Sequence, residues 1–361
     1  MKNIIKSLIV MLSSLSLFAS ANAGELGVSG TAKATYNINS GTNQTKGIGI
    51  TNELNFTASG ELDNGYTWSY SMELDPGATQ VSGDTDTEGS QSAQNDDTKL
   101  TLSGPLGTFG VFVSEGGLDL EDGASQSVYA RPTDMGDPSA TSDNYTIDAY
   151  NNIQYHTPAD LLPFGIQGKI AYATGLDAYG SGDNVGKTHA GADEDLGRSA
   201  TEYQVKATPI DGLTIGASYM EFGDAGSANT VQKPESGSYM ATYSTGPISI
   251  GYSKGLKAPI VGSLTAGSSV ETVEYYDQTN MSIAYAASDN LSVSYEQETS
   301  EANYVLNTTA SVEQESTSVQ LAYTMGGMTL AVVQSSHDNV GYSTATTADR
   351  EQTLLAVSMA F

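Results

Sequence analysis

The chain is 361 residues long, with 42 Asp and Glu against 14 Lys and Arg, a formal charge of −28, 21 Tyr and no Cys. So acidic a balance excludes nucleic acid as a partner, because that role needs basic patches. The absence of cysteine excludes a disulfide framework and thiolate metal sites. Strong acidity by itself suits a disordered chain, but the many tyrosines and a regular apolar alternation oppose that reading.

Residues 1–23 read as an export signal. Lys2 and Lys6 give a positive start, Leu8 to Ala19 is apolar, and Ala21-Asn22-Ala23 is a small-residue cleavage site. The apolar stretch is shorter than the roughly 20 residues of a spanning helix. Expected are a signal peptide over 1–23, cut after Ala23, and one barrel domain over 24–361.

Sixteen strands are expected in that domain. The first is Glu25–Ile38, with Leu26, Val28, Gly30, Ala32, Ala34 and Tyr36 on one face, since strand side chains alternate sides. Ile48–Gly60 is the second, then comes a tight turn at Asp63-Asn64-Gly65, where Asn-Gly suits positive φ. Tyr66–Leu74 stacks Tyr66, Trp68, Tyr70, Met72 and Leu74. Further strands lie near Thr98–Ser103, Phe109–Ser114, Asn151–Thr157, Ile166–Thr174, Thr201–Thr208, Leu213–Phe222, Ser238–Ser244 and Ile248–Ser253. The last five are Tyr276–Tyr285, Leu291–Glu298, Ser316–Thr324, Met328–Gln334 and Glu351–Phe361.

Short and long connections alternate along the chain. Asp63–Gly65, Pro209–Gly212 and Met325–Gly327 are short; Asp75–Asp97, Glu115–Tyr150 and Ser335–Arg350 are long. Ten-residue alternating segments with this rhythm are the signature of an outer-membrane β-barrel, short turns in the periplasm and long loops outside. The fold class expected is all-β, a 16-stranded antiparallel transmembrane barrel. Tyr and Phe of apolar parity cluster at both strand ends, as two interfacial girdles require. Tyr66, Tyr155, Tyr243 and Phe361 mark one end; Tyr36, Tyr203, Tyr219 and Tyr295 mark the other. The opposite face carries Thr67, Ser69, Asn152, Gln154, Glu202, Gln204, Ser316, Ser318 and Gln320. Such a lining suits a water-filled bore, because dry burial of polar groups is costly. Thr329, Ala331, Val333, Leu354 and Ala356 depart from it.

Signal, strand count, loop rhythm and terminal Phe361 together resemble the trimeric Gram-negative porins. Gly24 to Tyr36 is similar to their first strand, and Gly107 to Val113 to the strand before their pore loop. The resemblance implies an outer-membrane channel for passive diffusion of small hydrophilic solutes and ions, a homotrimer in outer-membrane lipid, and no catalysis. It implies that the third long loop, here Glu115–Tyr150, folds inward and narrows the channel. That loop lacks the Pro-Glu-Phe-Gly-Gly run of enterobacterial members, which places the chain in a different branch.

The expected constriction residues are Glu115, Asp119, Glu121, Asp122, Arg131, Asp134 and Asp137, with Asp143 also in the loop. Bases of lumen parity are Lys33, Lys99, Lys169 and Lys206. Acidic rings favour cations, so a weakly cation-selective eyelet is expected, with these lysines opposite the loop acids. Gly30, Ala32 and Ala34 are small outward residues that would let a neighbouring subunit approach. No cofactor is expected. Asp84, Asp86 and Glu88 resemble the opening of a calcium loop, but Asn95 stands where the bidentate Glu belongs, so a solvated loop is the preferred reading. Gly182–Thr188 is one residue short of a phosphate loop. The three histidines, His156, His189 and His337, lie apart, and no Gly-x-Ser-x-Gly elbow occurs. The alternatives are a solute-specific outer-membrane channel, which needs more than Tyr129 and Arg131 as its track, and a secreted or surface β-adhesin.

Overall fold

A computed structural model describes residues 26–40, 46–76, 93–134, 143–159, 161–174, 199–223, 232–259, 261, 273–305 and 310–361. The expected signal segment therefore lies outside the described residues. So do Asp84, Asp86, Glu88, Asp137, the Gly182–Thr188 stretch and His189.

Sixteen strands form one closed antiparallel barrel in which each pairs with its neighbours in sequence and the first pairs with the last. They are β1 (Leu26–Ser40), β2 (Lys46–Glu61), β3 (Thr67–Pro76), β4 (Ala93–Gly104), β5 (Gly107–Val113), β6 (Asn152–His156), β7 (Gln167–Thr174) and β8 (Ser199–Ile210). The second half is β9 (Leu213–Gly223), β10 (Glu235–Thr245), β11 (Ile248–Ala258), β12 (Val273–Ala286), β13 (Leu291–Tyr304), β14 (Val312–Met325), β15 (Met328–Asp338) and β16 (Arg350–Ala360). Closure satisfies every ladder group without an exposed edge, which is what a strand protein in lipid requires.

All sixteen expected strands are present, but β10 to β15 run several residues further at the long-loop end than apolar alternation indicates. The period fades where outward positions turn polar, as at Thr299, Glu301 and Asn303 of β13. Ladder hydrogen bonds persist there because they need no greasy neighbour. The extension of β10 to Glu235 also places Tyr239 in mid-strand.

The two faces differ as expected. Val205, Ile215, Ile250, Ile283, Val319, Leu321 and Leu355 are exposed. Their sequence neighbours Gln204, Ser282, Ser318, Gln320 and Leu354 are buried. Tyr203 and Tyr219 are exposed toward the long-loop end, Tyr239 and Tyr252 near mid-strand, and Tyr243, Tyr285 and Tyr323 toward the short-turn end. Tyr295, expected at the long-loop end, lies nearer the short-turn end of the lengthened β13. Glycines at that second end sit under rings from a neighbouring strand. A Cβ on Gly60 would lie 2.7 Å from Trp68, and one on Gly104 would overlap the Tyr66 ring. An aromatic ring laid over a glycine repairs the missing side-chain packing.

Gly30 has a different use from the one read in the sequence. Its side-chain space is filled by the Phe361 ring, 2.8 Å from where a Cβ would stand. Of the three small outward residues named from the sequence, Ala32 and Ala34 have no such use.

Candidate functional site

The connection between β5 and β6 follows the buried, polar-parity face of the barrel. Its backbone meets one strand after another. Glu202 on β8 accepts from the N–H groups of Leu118 (3.3 Å) and Ile147 (2.8 Å), and Gln204 donates to the Leu118 carbonyl at 2.7 Å. Ser218 on β9 and Ser238 on β10 accept from Leu120 at 3.2 and 3.0 Å. Ser253 on β11 donates to the Glu121 carbonyl. Ser282 on β12 donates to the Ala124 carbonyl at 2.9 Å and accepts from Gln126 at 3.0 Å. Ser294 on β13 accepts from Val128 at 3.0 Å, and Gln320 on β14 accepts from Tyr129 at 3.0 Å and Ala130 at 3.3 Å. The segment has little regular structure of its own, so these wall side chains satisfy backbone groups that would otherwise be orphaned.

Apolar contacts fix the same path. Leu118, Ile147 and Tyr150 pack with Ala171, Ala173, Ala200, Met220 and Phe222. Leu120 and Ala124 pack with Met240, and Tyr129 and Ala130 with Val333 and Leu354. Two of the apolar departures on the last two strands, Val333 and Leu354, are therefore a seat for the segment. A Cβ on Gly251 of β11 would overlap the Ala124 carbonyl oxygen, so this wall position needs glycine for the backbones to meet.

The expected acids divide by role. Glu115 pairs with Lys99. Asp119 accepts from Ser218 (3.0 Å), Ser238 (2.9 Å) and Asn144 (3.2 Å). Glu121 accepts from the Asn144 N–H at 3.0 Å. Burial, aided by Asp122, Asp119 and Asp143, pushes the Glu121 carboxyl well above its ordinary range against that hydrogen bond. Burial also lifts Asp122 to about 7, with Arg131 opposing and Asp143 adding.

Arg131 is no isolated base among acids. It pairs with Asp122, with Asp134 at 2.9 Å and with Glu298 of β13 at 3.3 Å. Burial disfavours its charge, but Glu298, Asp122 and Asp134 more than offset this and raise its pKa. Glu298 also accepts from the Thr133 N–H (3.1 Å) and hydroxyl (2.6 Å). Glu121, Asp122, Arg131, Asp143, Asn280 and Glu298 line one small recess.

The wall acids Glu202, Glu296 and Glu298 were not among the expected site residues. A carboxylate at inward parity in mid-strand was their signal, since it needs a partner. The expected opposition of lysines and loop acids is realised differently. Lys99 touches Glu115 directly, and the Lys33 ammonium lies 5.2 Å from the centre of the Tyr129 ring. Lys169 and Lys206 are diagonal neighbours on β7 and β8, through the pairs Lys169–Gln204 and Gln167–Lys206. Among the described residues no group of three or more His, Asp or Glu is placed to hold a metal ion.

A closed sixteen-stranded barrel, apolar outside and polar within, defines a protein of the outer-membrane channel class. The family model for Gram-negative porins matches residues 9–295, and the chain belongs to that family. It is thus an outer-membrane porin channel. No curated protein matches the chain by sequence. Solved structures give the same fold. Salmonella typhi OmpF, in complex with daunomycin, has a TM-score of 0.65 at 12% identity, covering 94% of this chain and 98% of that one. OmpT of Vibrio cholerae has a TM-score of 0.63 at 12% identity, covering 94% and 98%. Its trimer form gives 0.61 at 13% identity, covering 94% and 100%.

Proposed function

We propose that the chain passes small hydrophilic solutes and ions by passive diffusion, with a weak preference for cations. What supports this is the run of contacts between the β5–β6 connection and the polar-parity side chains of β8 to β14; on this reading the connection narrows the bore. Its acids Asp119, Glu121, Asp122 and Asp134, joined by Glu298, outnumber the bases beside them, Arg131 and the Lys257 of β11 that faces Glu121 and Asp143. Lys169 and Lys206 hold positive charge on a different part of the wall, which leaves a field across the passage. Preorganised charges in a narrow site act strongly on a passing ion. A solute gradient supplies the driving force, so the channel runs without a cofactor. The acidic stretch at Asp84–Glu88 is read as a solvated loop.

On this reading residues 1–23 are removed during export and the mature barrel assembles as a homotrimer in outer-membrane lipid. Support for the trimer comes from β1 and β2, where Ala32 and Ala34 lie beside Ile48 (85% exposed) and Ile50 (61% exposed). Exposed apolar surface around small residues suits close approach of a second copy. An unheated detergent gel should show a compact oligomer that collapses on boiling.

The decisive test is planar-bilayer conductance under a salt gradient. Stepwise ion conductance with a reversal potential of cation sign is expected. Anion preference overturns the selectivity, and absence of conductance overturns the whole reading.

A further inference from the structure

The connection between β15 and β16, residues 339–349, leans back over the barrel wall. The Gly341 N–H donates to the side-chain oxygen of Gln314 on β14 at 2.9 Å. The Tyr342 hydroxyl lies 2.8 Å from that of Ser300 on β13. The Tyr342 ring stands 5.2 Å from that of Tyr276 on β12, tilted by 43°. One segment thus reaches across three strands on their inner face. Gln314 and Ser300 are 0% and 1% exposed, and both have the parity of the polar lining. Ser300 also borders the recess that holds Arg131 and Glu298, so the segment stands just outward of the first constriction.

Its conformation is specific. Asn339 and Tyr342 have φ of 55° and 56°, a left-handed backbone that costs a residue with a Cβ roughly 1–2 kcal/mol. That geometry persists only when surrounding contacts hold it. Asn339 is held by donating its amide to the Glu313 carbonyl at 2.9 Å and its N–H to Asp349 at 3.1 Å, and Tyr342 by its contacts with Ser300 and Tyr276.

We propose that this segment is a second narrowing of the bore, and that Tyr342, docked on Ser300 and Tyr276, sets the size limit for solutes entering from the long-loop side. The proposal rests on the diffusion-channel reading above. Passage then involves two successive filters, a steric one at Tyr342 and a charged one at the β5–β6 connection.

The test is polymer exclusion by the full chain in planar bilayers, with polyethylene glycols of graded size added to one side at a time. Tyr342→Ala should shift the exclusion limit on the long-loop side to larger polymers. It should leave the limit on the short-turn side and the salt-gradient reversal potential unchanged. An unshifted limit on the long-loop side, or equal shifts on both sides, overturns the proposal. If Tyr342→Ala fails to assemble, Ser300→Ala deletes the docking hydroxyl from the wall and should shift the same limit in the same direction by less; no shift overturns it equally. A wild-type chain that conducts nothing would instead sink the channel reading itself.

Discussion

Phe361 closes the barrel on Gly30. The Gly30 N–H donates to the Phe361 carbonyl at 2.8 Å, the Phe361 N–H returns a bond to Gly30 at 3.0 Å, and the ring fills the space above the glycine. Phe361 is thus part of the seam between β1 and β16. Elsewhere a seam between neighbouring strands is tied by a connecting segment. Here no such segment exists, so side-chain fit and backbone bonds hold the two strands together.

Gly30→Val should therefore loosen closure. Its new side chain would meet the Glu53 carbonyl and the Phe361 ring, each 2.8 Å from the Cβ position. Overpacking of this kind costs about 1–3 kcal/mol. The expected outcome is a lower temperature for loss of the compact band on semi-native gels. Ala32→Val, which leaves Phe361 untouched, should lower oligomer stability without lowering that of the isolated barrel. Equal effects from the two variants would remove the distinction between seam and subunit interface.

Gln320 on β14 anchors residues 127–130 of the β5–β6 connection. Its oxygen accepts from Tyr129 and Ala130, and its amide donates to the Ser127 hydroxyl at 2.9 Å and to the Ala130 carbonyl. Gln320→Leu removes all of these at a similar size. At about 1 kcal/mol net per bond the local loss is about 3–4 kcal/mol. Hydrogen exchange should show the Tyr129 and Ala130 amides opening faster, while β14 ladder amides remain protected. Single channels should flicker more than wild type.

How far the sequence carries differs between wall and loop. Alternation in segments such as Thr353 to Phe361 exposes the barrel, its strand count and its two faces, because period two follows from strand geometry alone. The path of Glu115–Tyr150 has no such period. Its contacts join residues far apart in sequence, such as Leu118 to Glu202 and Tyr129 to Gln320. The marks it leaves are negative ones on the wall: Met220, Met240, Val333 and Leu354, apolar where polar residues are due, and Gly251 where a side chain is due. Read singly, each is an irregular strand position. Only the fold shows that all of them touch one segment.

Lys169 and Lys206 offer a test of the field that does not disturb the loop. Neither forms an ion pair among the described residues. Replacing both by Gln should move the reversal potential further toward cations and leave the gel behaviour intact. Screening sets the size of the effect: the Debye length is roughly 30 Å at 0.01 M but roughly 3 Å at 1 M. The shift should be clear in dilute salt and nearly vanish in concentrated salt. A shift independent of salt would assign these lysines a local binding role instead.

Acidity of the medium should change selectivity near neutrality, not only near pH 4. Burial raises Asp122 from 3.8 to about 7, against the pull of Arg131 and with help from Asp143, Glu298 and Asp119. For a carboxyl whose folded pKa is raised, the neutral form is the one that favours the docked segment. That contribution is fully present below about 3.8 and is lost as pH rises through about 7. Lowering the pH from 8 to 6 should therefore remove negative charge from the recess while Arg131 stays charged. Cation preference should fall, and the segment should become better protected from hydrogen exchange. Asp122→Asn should show part of the low-pH selectivity already at pH 8 and weaken the inflection near 7, the other acids of the recess supplying the remainder. If the wild-type inflection lies near 4 and Asp122→Asn leaves it in place, then solvent-exposed carboxylates elsewhere in the passage set the selectivity, and the recess around Arg131 serves only to hold the loop.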